Sequence, residues 1–379
     1  MKRKIFVTSL LLLTLLFASN ISYALPFETR AKQAFLIDTS TNTVLLEKNP
    51  DEIMPTSSMS KSMTLYVVFD ALKQGYIKLN DKFHVSEKAW RMKGSRMFLE
   101  VGSKATVDEL IHGVAIQSGN DATVVLAEGM MGSEDDFVSR MNLAAEELGM
   151  NDSHFMNASG WPDPRHYSTA RDLAKLSKHL IDDFPEYYKL FSEKDYTYNN
   201  IYQPNRLPIL GKINGADGIK TGHTEAAGYG MMGTAEREGR RLILVINGLD
   251  SESSRAREAA RLLEWGFRNF KNKKLLEAGE EVSTAKVWLG KEEQVSLVAE
   301  DDIIFSMPAF KNKDIKMKVS YNEPLIAPVT KGDKVAKLEI SIPDQAGATI
   351  DLIAGEDVNK KGLFSRAWTR FRYFLNNEY

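Results

Sequence analysis

The sequence predicts an α/β domain of the α+β kind, one sheet covered by helices, followed by a small all-β domain. Three observations lead there. β-Prone runs stand at both ends of the chain before Lys271, at residues 34–47 and 219–247, with helical patterns filling the interval between them. Past Lys271 the texture changes to short β-prone runs alternating with turns. Residues 363–375 then return to a helical spacing of apolar side chains. The 379 residues, 43 % hydrophobic and 26 % charged, hold core enough for two domains.

The first element is not part of either domain. Residues 1–24 have a basic start (Lys2, Arg3, Lys4), a leucine-rich apolar stretch and the tripeptide Ser22-Tyr23-Ala24, which together form the pattern of a secretory signal peptide. The mature chain is expected to begin near Leu25 and to work outside the cytoplasm. With no cysteine it can hold no disulfide there and cannot be a cysteine enzyme. A net charge of −2 gives no basic face for nucleic acid.

Residues 34–38 and 43–47 flank the polar cluster Thr39-Ser40-Thr41-Asn42 and read as a hairpin. An apolar helix follows from Met63 to Leu72, with Pro55 and Thr56 suited to its start. Thr106-Val107-Asp108-Glu109 is a capping box that opens a helix to about Ile116. Ser118-Gly119-Asn120 breaks it, and a second helix restarts with Asn120 or Asp121 as its cap. Residues 137–148 and 169–181 are helical, the latter capped by Ser168 or Thr169. Gly215-Ala216-Asp217-Gly218 reads as a turn, residues 219–233 as two strands joined through 225–228, residues 241–247 as a strand and 254–267 as a helix. Lys271-Asn272-Lys273-Lys274 reads as a charged hinge before strands near 295–297, 303–305, 315–319, 335–342 and 349–353. The expected divisions are a signal peptide at 1–24, a helix-covered domain at 25–272, a β-domain at 273–361 and a terminal helix at 362–379.

Candidate chemistry begins at Ser58-Met59-Ser60-Lys61, where a hydroxyl precedes an amine by three residues at the start of the apolar helix. On a helix those positions share a face, one turn apart. Ser58 Oγ must lose its proton to attack a carbonyl, and Lys61 is the nearest base. A lysine in water is cationic at neutral pH, so Lys61 has to be desolvated and near another cation, for which Lys220 is the candidate. A second Ser-x-x-Lys, Ser283 to Lys286, lies in a β-prone segment where positions i and i+3 point to opposite faces, so it is a decoy. Lys220-Thr221-Gly222 is expected by chance only about 0.1 times in a chain of this size. Followed by His223 on an edge strand, it would pair an extended peptide by strand addition. Thr221 can hydrogen-bond the peptide's terminal carboxylate, and Gly222 leaves room for the chain. The five other histidines show no metal spacing, and neither a metal nor a cofactor is expected.

The ordered set Ser58-x-x-Lys61, Ser118-Gly119-Asn120 and Lys220-Thr221-Gly222 resembles that of the low-molecular-mass penicillin-binding proteins, the serine-type D-alanyl-D-alanine carboxypeptidases. The middle element reads Ser-Gly-Asn where the general set has Ser-Asp-Asn. The resemblance implies a penicillin-binding, β-lactamase-like transpeptidase fold that removes the terminal D-alanine from peptidoglycan stem peptides. β-Lactam antibiotics would be its covalent inhibitors. It gives Ser118 a part in relaying the proton to the leaving amine, and Asn120 a part in orienting Lys61 or holding substrate amides. It places an oxyanion hole at the backbone N–H groups of Ser58 and His223, an arginine near the carboxylate at Arg255, with Arg257 two residues away, and Arg206 near Lys220.

Three rival readings stand beside this one. A β-lactamase needs an extra deacylating base, yet residues 151–185 contain no glutamate. A D,D-endopeptidase of the same fold would cut cross-links, and the C-terminal extension favours the carboxypeptidase over it. A non-catalytic drug-binding or wall-binding scaffold would have no use for an intact catalytic set. At the terminus, Leu363, Phe364, Ala367, Trp368, Phe371, Phe374 and Leu375 line one helical face, with Arg366, Arg370 and Arg372 at its borders. Such a helix suits the surface of an anionic bilayer and is too short to span one. The expected location is periplasmic, peripheral on the outer face of the inner membrane.

Overall fold

Apolar residues on both faces of a strand require cover on both faces, and the central sheet meets that demand. The computed structural model describes residues 27–309, 315–341 and 348–376; the signal-peptide expectation for 1–24 lies outside them. Strands β1 (Gln33–Asp38) and β2 (Thr43–Lys48) form the expected hairpin. After a 3-10 turn at Ser57–Ser60 comes helix α1 (Lys61–Lys73), then β3 (Lys82–His84), α2 (Glu87–Trp90) and β4 (Lys104–Thr106). Helices α3 (Val107–Ala115), α4 (Asn120–Met131), α5 (Glu134–Glu147), α6 (Ala170–Asp183) and α7 (Pro185–Tyr188) follow. A small hairpin, β5 (Asp195–Tyr198) and β6 (Ile201–Pro204), precedes three long strands, β7 (Ala216–Thr224), β8 (Gly228–Arg237) and β9 (Arg240–Leu249), and helix α8 (Glu252–Asn269).

The sheet runs β2-β1-β9-β8-β7, so the first strand pairs with the last and β7 is left at an edge. Side chains alternate along the strands. Phe35, Ile243 and Val245 face the core under α1 and α3–α6, while Leu36, Leu242, Leu244 and Ile246 face the core under α8. Helix α1 is buried nearly all round, as its apolar run predicts. Thr106 and Glu109 make the reciprocal capping box. Thr169 caps α6 and Ser251 caps α8.

Three local expectations are corrected. Gly119, not Asn120 or Asp121, caps α4, because Asp121 turns its carboxylate to the backbone N–H groups of Met97 and Leu99 at 3.0 and 3.2 Å. The 215–218 turn is the start of β7, which pairs with β8 from Ala216 through a bulge before Gly218. A side chain at Gly218 would meet the Tyr188 hydroxyl, so the glycine serves close packing within a strand rather than a turn. The charged hinge is strand β10 (Phe270–Leu276), whose lysines point to solvent while it pairs with β13 (Ile303–Pro308).

The second unit has no helix within its sheet. Strands β11 (Glu281–Trp288), β12 (Gln294–Ala299), β14 (Lys316–Tyr321), β15 (Leu325–Ile326), β16 (Lys334–Ser341) and β17 (Ala348–Ala354) form one sheet ordered β14-β16-β17-β12-β11-β15. Its core includes Ala285, Leu297, Leu338 and Leu352. Lys286 lies on β11, away from the other candidate residues, in keeping with the decoy reading of its motif. Helix α9 (Leu363–Asn376) closes the described chain.

The two units meet at a buried charge. Asp38, wholly buried, accepts from Arg240 Nε at 2.5 Å and from Ser306 Oγ of β13 at 2.5 Å, and Arg240 Nη1 also donates to Phe270 O at 2.7 Å. Removing one partner of a buried pair strands the other in low dielectric, at a cost of about 3–5 kcal/mol. Asp38→Ala is therefore expected to lower the melting temperature by roughly 10 °C and to expose the 270–276 junction to limited proteolysis. An unchanged melting curve would contradict this account of the joint.

Candidate active site

The 3-10 turn and the first turn of α1 decide where Ser58 and Lys61 sit. Thr56 Oγ1 and Ser60 Oγ lie 2.5 Å apart and Ser60 Oγ lies 2.7 Å from His166 Nε2. Since Met156 N–H donates to His166 Nδ1 at 3.2 Å, the proton of the neutral ring is on Nε2, which donates to Ser60. Burial pulls His166 down to about 4, so it stays neutral, and Ser60 is wholly buried. That serine is a structural post. Ser58 instead opens onto a cleft of about 1050 Å³ that runs beside the β7 edge.

Lys61, wholly buried, donates from Nζ to Ser58 Oγ at 3.0 Å and to Ser159 O at 2.6 Å. Burial first, then the Arg206 guanidinium, lower its amine to about 7, against a smaller opposing pull from Asp121. Lys220, also buried, is pushed well below the ordinary lysine value by burial and by Lys61, Arg206 and Arg255. The expected division of charge therefore changes. The fixed cations are the two guanidiniums, and both lysines are driven toward the neutral amine.

Ser118, Thr221, Gly222, His223 and Arg255 line the same cleft. Ser118 adopts a left-handed φ of 61°, and its buried Oγ has no hydrogen-bond partner. A strained serine with a vacant hydroxyl, facing the cleft that Ser58 faces, is free to pass a proton. Asn120 stands behind this wall. Its Nδ2 donates to Lys93 O at 2.7 Å and its backbone N–H to Ser95 O at 2.8 Å, so it fastens the 93–95 loop. His223 stacks on Tyr229 with centroids 3.9 Å apart, and the Arg255 guanidinium lies 5.6 Å from the same ring, held by Glu252 at 3.2 Å. Arg257 lines a separate cavity with Glu28 and Arg261, so of the two arginines Arg255 is the one that faces the cleft. Gly222 leaves room, but for the turn: a Cβ there would come within 2.8 Å of Thr56 O.

Comparison with known proteins bears on this geometry. The family model described as D-alanyl-D-alanine carboxypeptidase matches residues 20–251, and that of the penicillin-binding protein 5 C-terminal domain matches residues 270–360. The chain is 38 % identical to the D-alanyl-D-alanine carboxypeptidase DacA of Haemophilus influenzae, over 90 % of this chain and 89 % of that protein. This chain belongs to the peptidase S11 family of D-alanyl-D-alanine carboxypeptidases. A solved structure of penicillin binding protein 5 from Haemophilus influenzae superposes with a TM-score of 0.79 at 38 % identity, covering 88 % of this chain and 99 % of that one. Penicillin-binding protein D2 of Listeria monocytogenes, solved in an ampicillin-bound form, is 31 % identical with a TM-score of 0.58, covering 63 % of this chain and 97 % of that one.

Two parts of the carboxypeptidase cleft escape sequence reasoning. One is the carbonyl of Ser159, the second acceptor for Lys61. It is presented by a turn at Gly160 (φ 77°) that packs against the turn carrying Ser58. The other is the wall built by the β5–β6 hairpin and residues 205–212, which brings Arg206 onto Ser95 Oγ. The signal for the hairpin is Asn199-Asn200, both at positive φ.

A Cβ on Gly160 would fall 1.8 Å from the Ser57 carbonyl oxygen. Gly160→Ala must push the turn that carries Ser58, and displacements of about 1 Å at a reacting group cost on the order of a hundredfold in rate. The penicillin acylation rate is expected to fall by about that factor. Gly149→Ala, at φ 66° with open space around it, is the control and should keep its rate. Equal rates in the two variants would count against the packing argument.

Proposed function

We propose that Ser58 is the nucleophile of this carboxypeptidase and that Lys61 is its base. The observation that carries this is the 3.0 Å contact between Lys61 Nζ and Ser58 Oγ, made by an amine that burial lowers to about 7. The Ser58 proton passes to the neutral Lys61 amine as Oγ bonds to the carbonyl carbon of the penultimate D-alanine. The negative charge that develops on the carbonyl oxygen is received by the backbone N–H groups of Ser58 and His223. The C–N bond then breaks, the proton returns through Ser118 Oγ to the leaving nitrogen, and terminal D-alanine departs. Water hydrolyses the acyl-Ser58 ester, with Lys61 again taking a proton. Thr221 and Arg255 hold the substrate's terminal carboxylate, Arg206 supports the field that keeps Lys61 neutral, Lys220 donates to the Thr221 carbonyl on the edge strand, and Asn120 positions the loop facing Ser118. β-Lactams enter the same path and stop at the acyl-enzyme. Glu252, the acid lining the cleft, is held by Arg255, which among the described residues leaves no carboxylate set against the ester as a β-lactamase requires.

Intact-mass analysis with penicillin tests the assignment. One adduct per chain is expected, lost in Ser58→Ala and kept in Ser60→Ala and Ser283→Ala; an adduct on Ser58→Ala would refute it. Because the neutral amine is the active form, acylation should rise about tenfold per pH unit up to a midpoint near 7 and level off above it. Lys61→Arg cannot deprotonate and should acylate at least about a thousandfold more slowly. A flat pH profile between 5 and 8 would point to another base.

The same reading extends to place and domain division: a leader at 1–24, the peptidase domain at 25–272, the β-domain at 273–361 and a membrane-surface helix at 362–379. In α9 the side chains of Leu363, Phe364, Trp368, Phe371 and Phe374 are exposed, Phe364 by 94 %. Tyr373, at the border of that face, packs on the β-domain edge-on to Trp288 with centroids 5.3 Å apart, and Thr369 and Arg372 line a cavity with it there. A helix folded onto the domain for packing would bury that face instead. This supports a periplasmic enzyme held on an anionic membrane surface. The mature protein should float with anionic liposomes, and a chain ending at Lys361 should stay in the soluble fraction at an unchanged acylation rate. Equal flotation of both would rule out the anchor.

A further inference from the structure

The cleft holds more positive charge than the terminal carboxylate of a D-alanyl-D-alanine peptide uses. Lys194 and Lys212 are exposed on the wall made by the β5–β6 hairpin and the segment after it, and neither makes an ion pair among the described residues. Arg206 lines that wall as well, bonded to the neutral Ser95 hydroxyl. The acid lining the cleft, Glu252, is already engaged by Arg255. Between the two lysines, on β6, Gln203 presents a side-chain carbonyl oxygen that is buried and has no donor. Tyr202 beside it is 63 % exposed.

These features describe a surface for something longer than two residues. A buried acceptor without a donor loses free energy until an N–H reaches it. An extended peptide on the edge strand supplies one at every second residue. Two unpaired ammonium groups on the same wall attract a carboxylate, and cations gathered along a low-dielectric cleft raise the local concentration of an anionic ligand.

We infer that Lys194, Lys212 and Gln203 form an acyl-side subsite that selects peptides carrying a second carboxylate upstream of the D-alanyl-D-alanine end. Gln203 Oε1 accepts from a peptide N–H, and the lysines meet the side-chain carboxylate. The inference rests on the carboxypeptidase reading, in which the terminal carboxylate is held separately at Thr221 and Arg255.

The test compares N-acetylated X-D-Ala-D-Ala tripeptides in which X ends in a carboxylate, a carboxamide or an ammonium group, using the full mature protein. Release of D-alanine from the carboxamide peptide reports the activity itself, apart from this inference. Exposed ion pairs contribute a few-fold each, so kcat/KM for the carboxylate peptide should exceed that for the carboxamide peptide by about fivefold, and more so for the ammonium peptide. The ratio should shrink toward one as salt rises. Lys194→Ala and Lys212→Ala should each reduce the ratio, Lys194→Glu should invert it, and Gln203→Leu should raise KM for all three peptides. A wild-type ratio of one, or a ratio that neither lysine variant moves, would overturn the inference even where D-alanine is released.

Discussion

A lysine amine taken wholly out of water governs this structure. Lowering Lys61 from the ordinary 10.5 to about 7 costs the fold on the order of 5 kcal/mol at neutral pH and below. The sign follows from linkage: between those values the unfolded chain binds the proton and the folded chain does not. The penalty grows as pH falls from 10.5 to 7 and is constant beneath. A chain accepts such a cost only if the surroundings are rigid enough to prevent water or a counter-charge from relieving it. That rigidity explains why α1 is buried nearly all round and why its first turn is fastened by a chain of bonds from Thr56 through Ser60 to His166.

The same need explains the glycines around the turn. Gly160 and Gly222 lie against the carbonyls of Ser57 and Thr56, so a loop and the β7 edge close on the turn that carries Ser58 from two sides. Ser57 and Ser118, both in left-handed conformation, are strained where the cleft opens, and the packed framework holds them there. Burial and the Arg206 guanidinium, against a smaller pull from Asp121, set the proton affinity of the Lys61 amine.

Charge also organises the larger architecture. Asp38 and Arg240 lock the central sheet to the β-domain through Ser306, using a buried pair where an apolar contact would have been less directional. The exposed aromatic face of α9 lies at the far end of that domain's chain. The β-domain stands between the cleft-bearing domain and α9 in the chain, and the buried pair fixes its attachment at one end.

What the sequence determined by itself was everything carried by local spacing and hydrophobic period. Ser58 and Lys61 fall on one face because i and i+3 must, Thr106 and Glu109 cap a helix reciprocally, and the β-rich texture past Lys271 builds a sheet. The ordered motifs also named the family, since Ser118 and Lys220 have few other reasons to accompany that pair. Tertiary structure decided what depends on residues far apart in the chain. It made Arg206 and Arg255 the fixed cations, because desolvation of Lys220 arises only when β7 meets the turn that carries Ser58. It supplied the Ser159 carbonyl, a backbone group with no side-chain signature, and turned Asn120 away toward Lys93. It also made a strand of residues 216–218 and of the lysine-rich 271–274, where turn-forming or charged residues hide a pairing that only the partner strand reveals. Local rules see neighbours along the chain, and burial, the first cause of the shifts at Lys61, Lys220 and His166, is a property of neighbours in space.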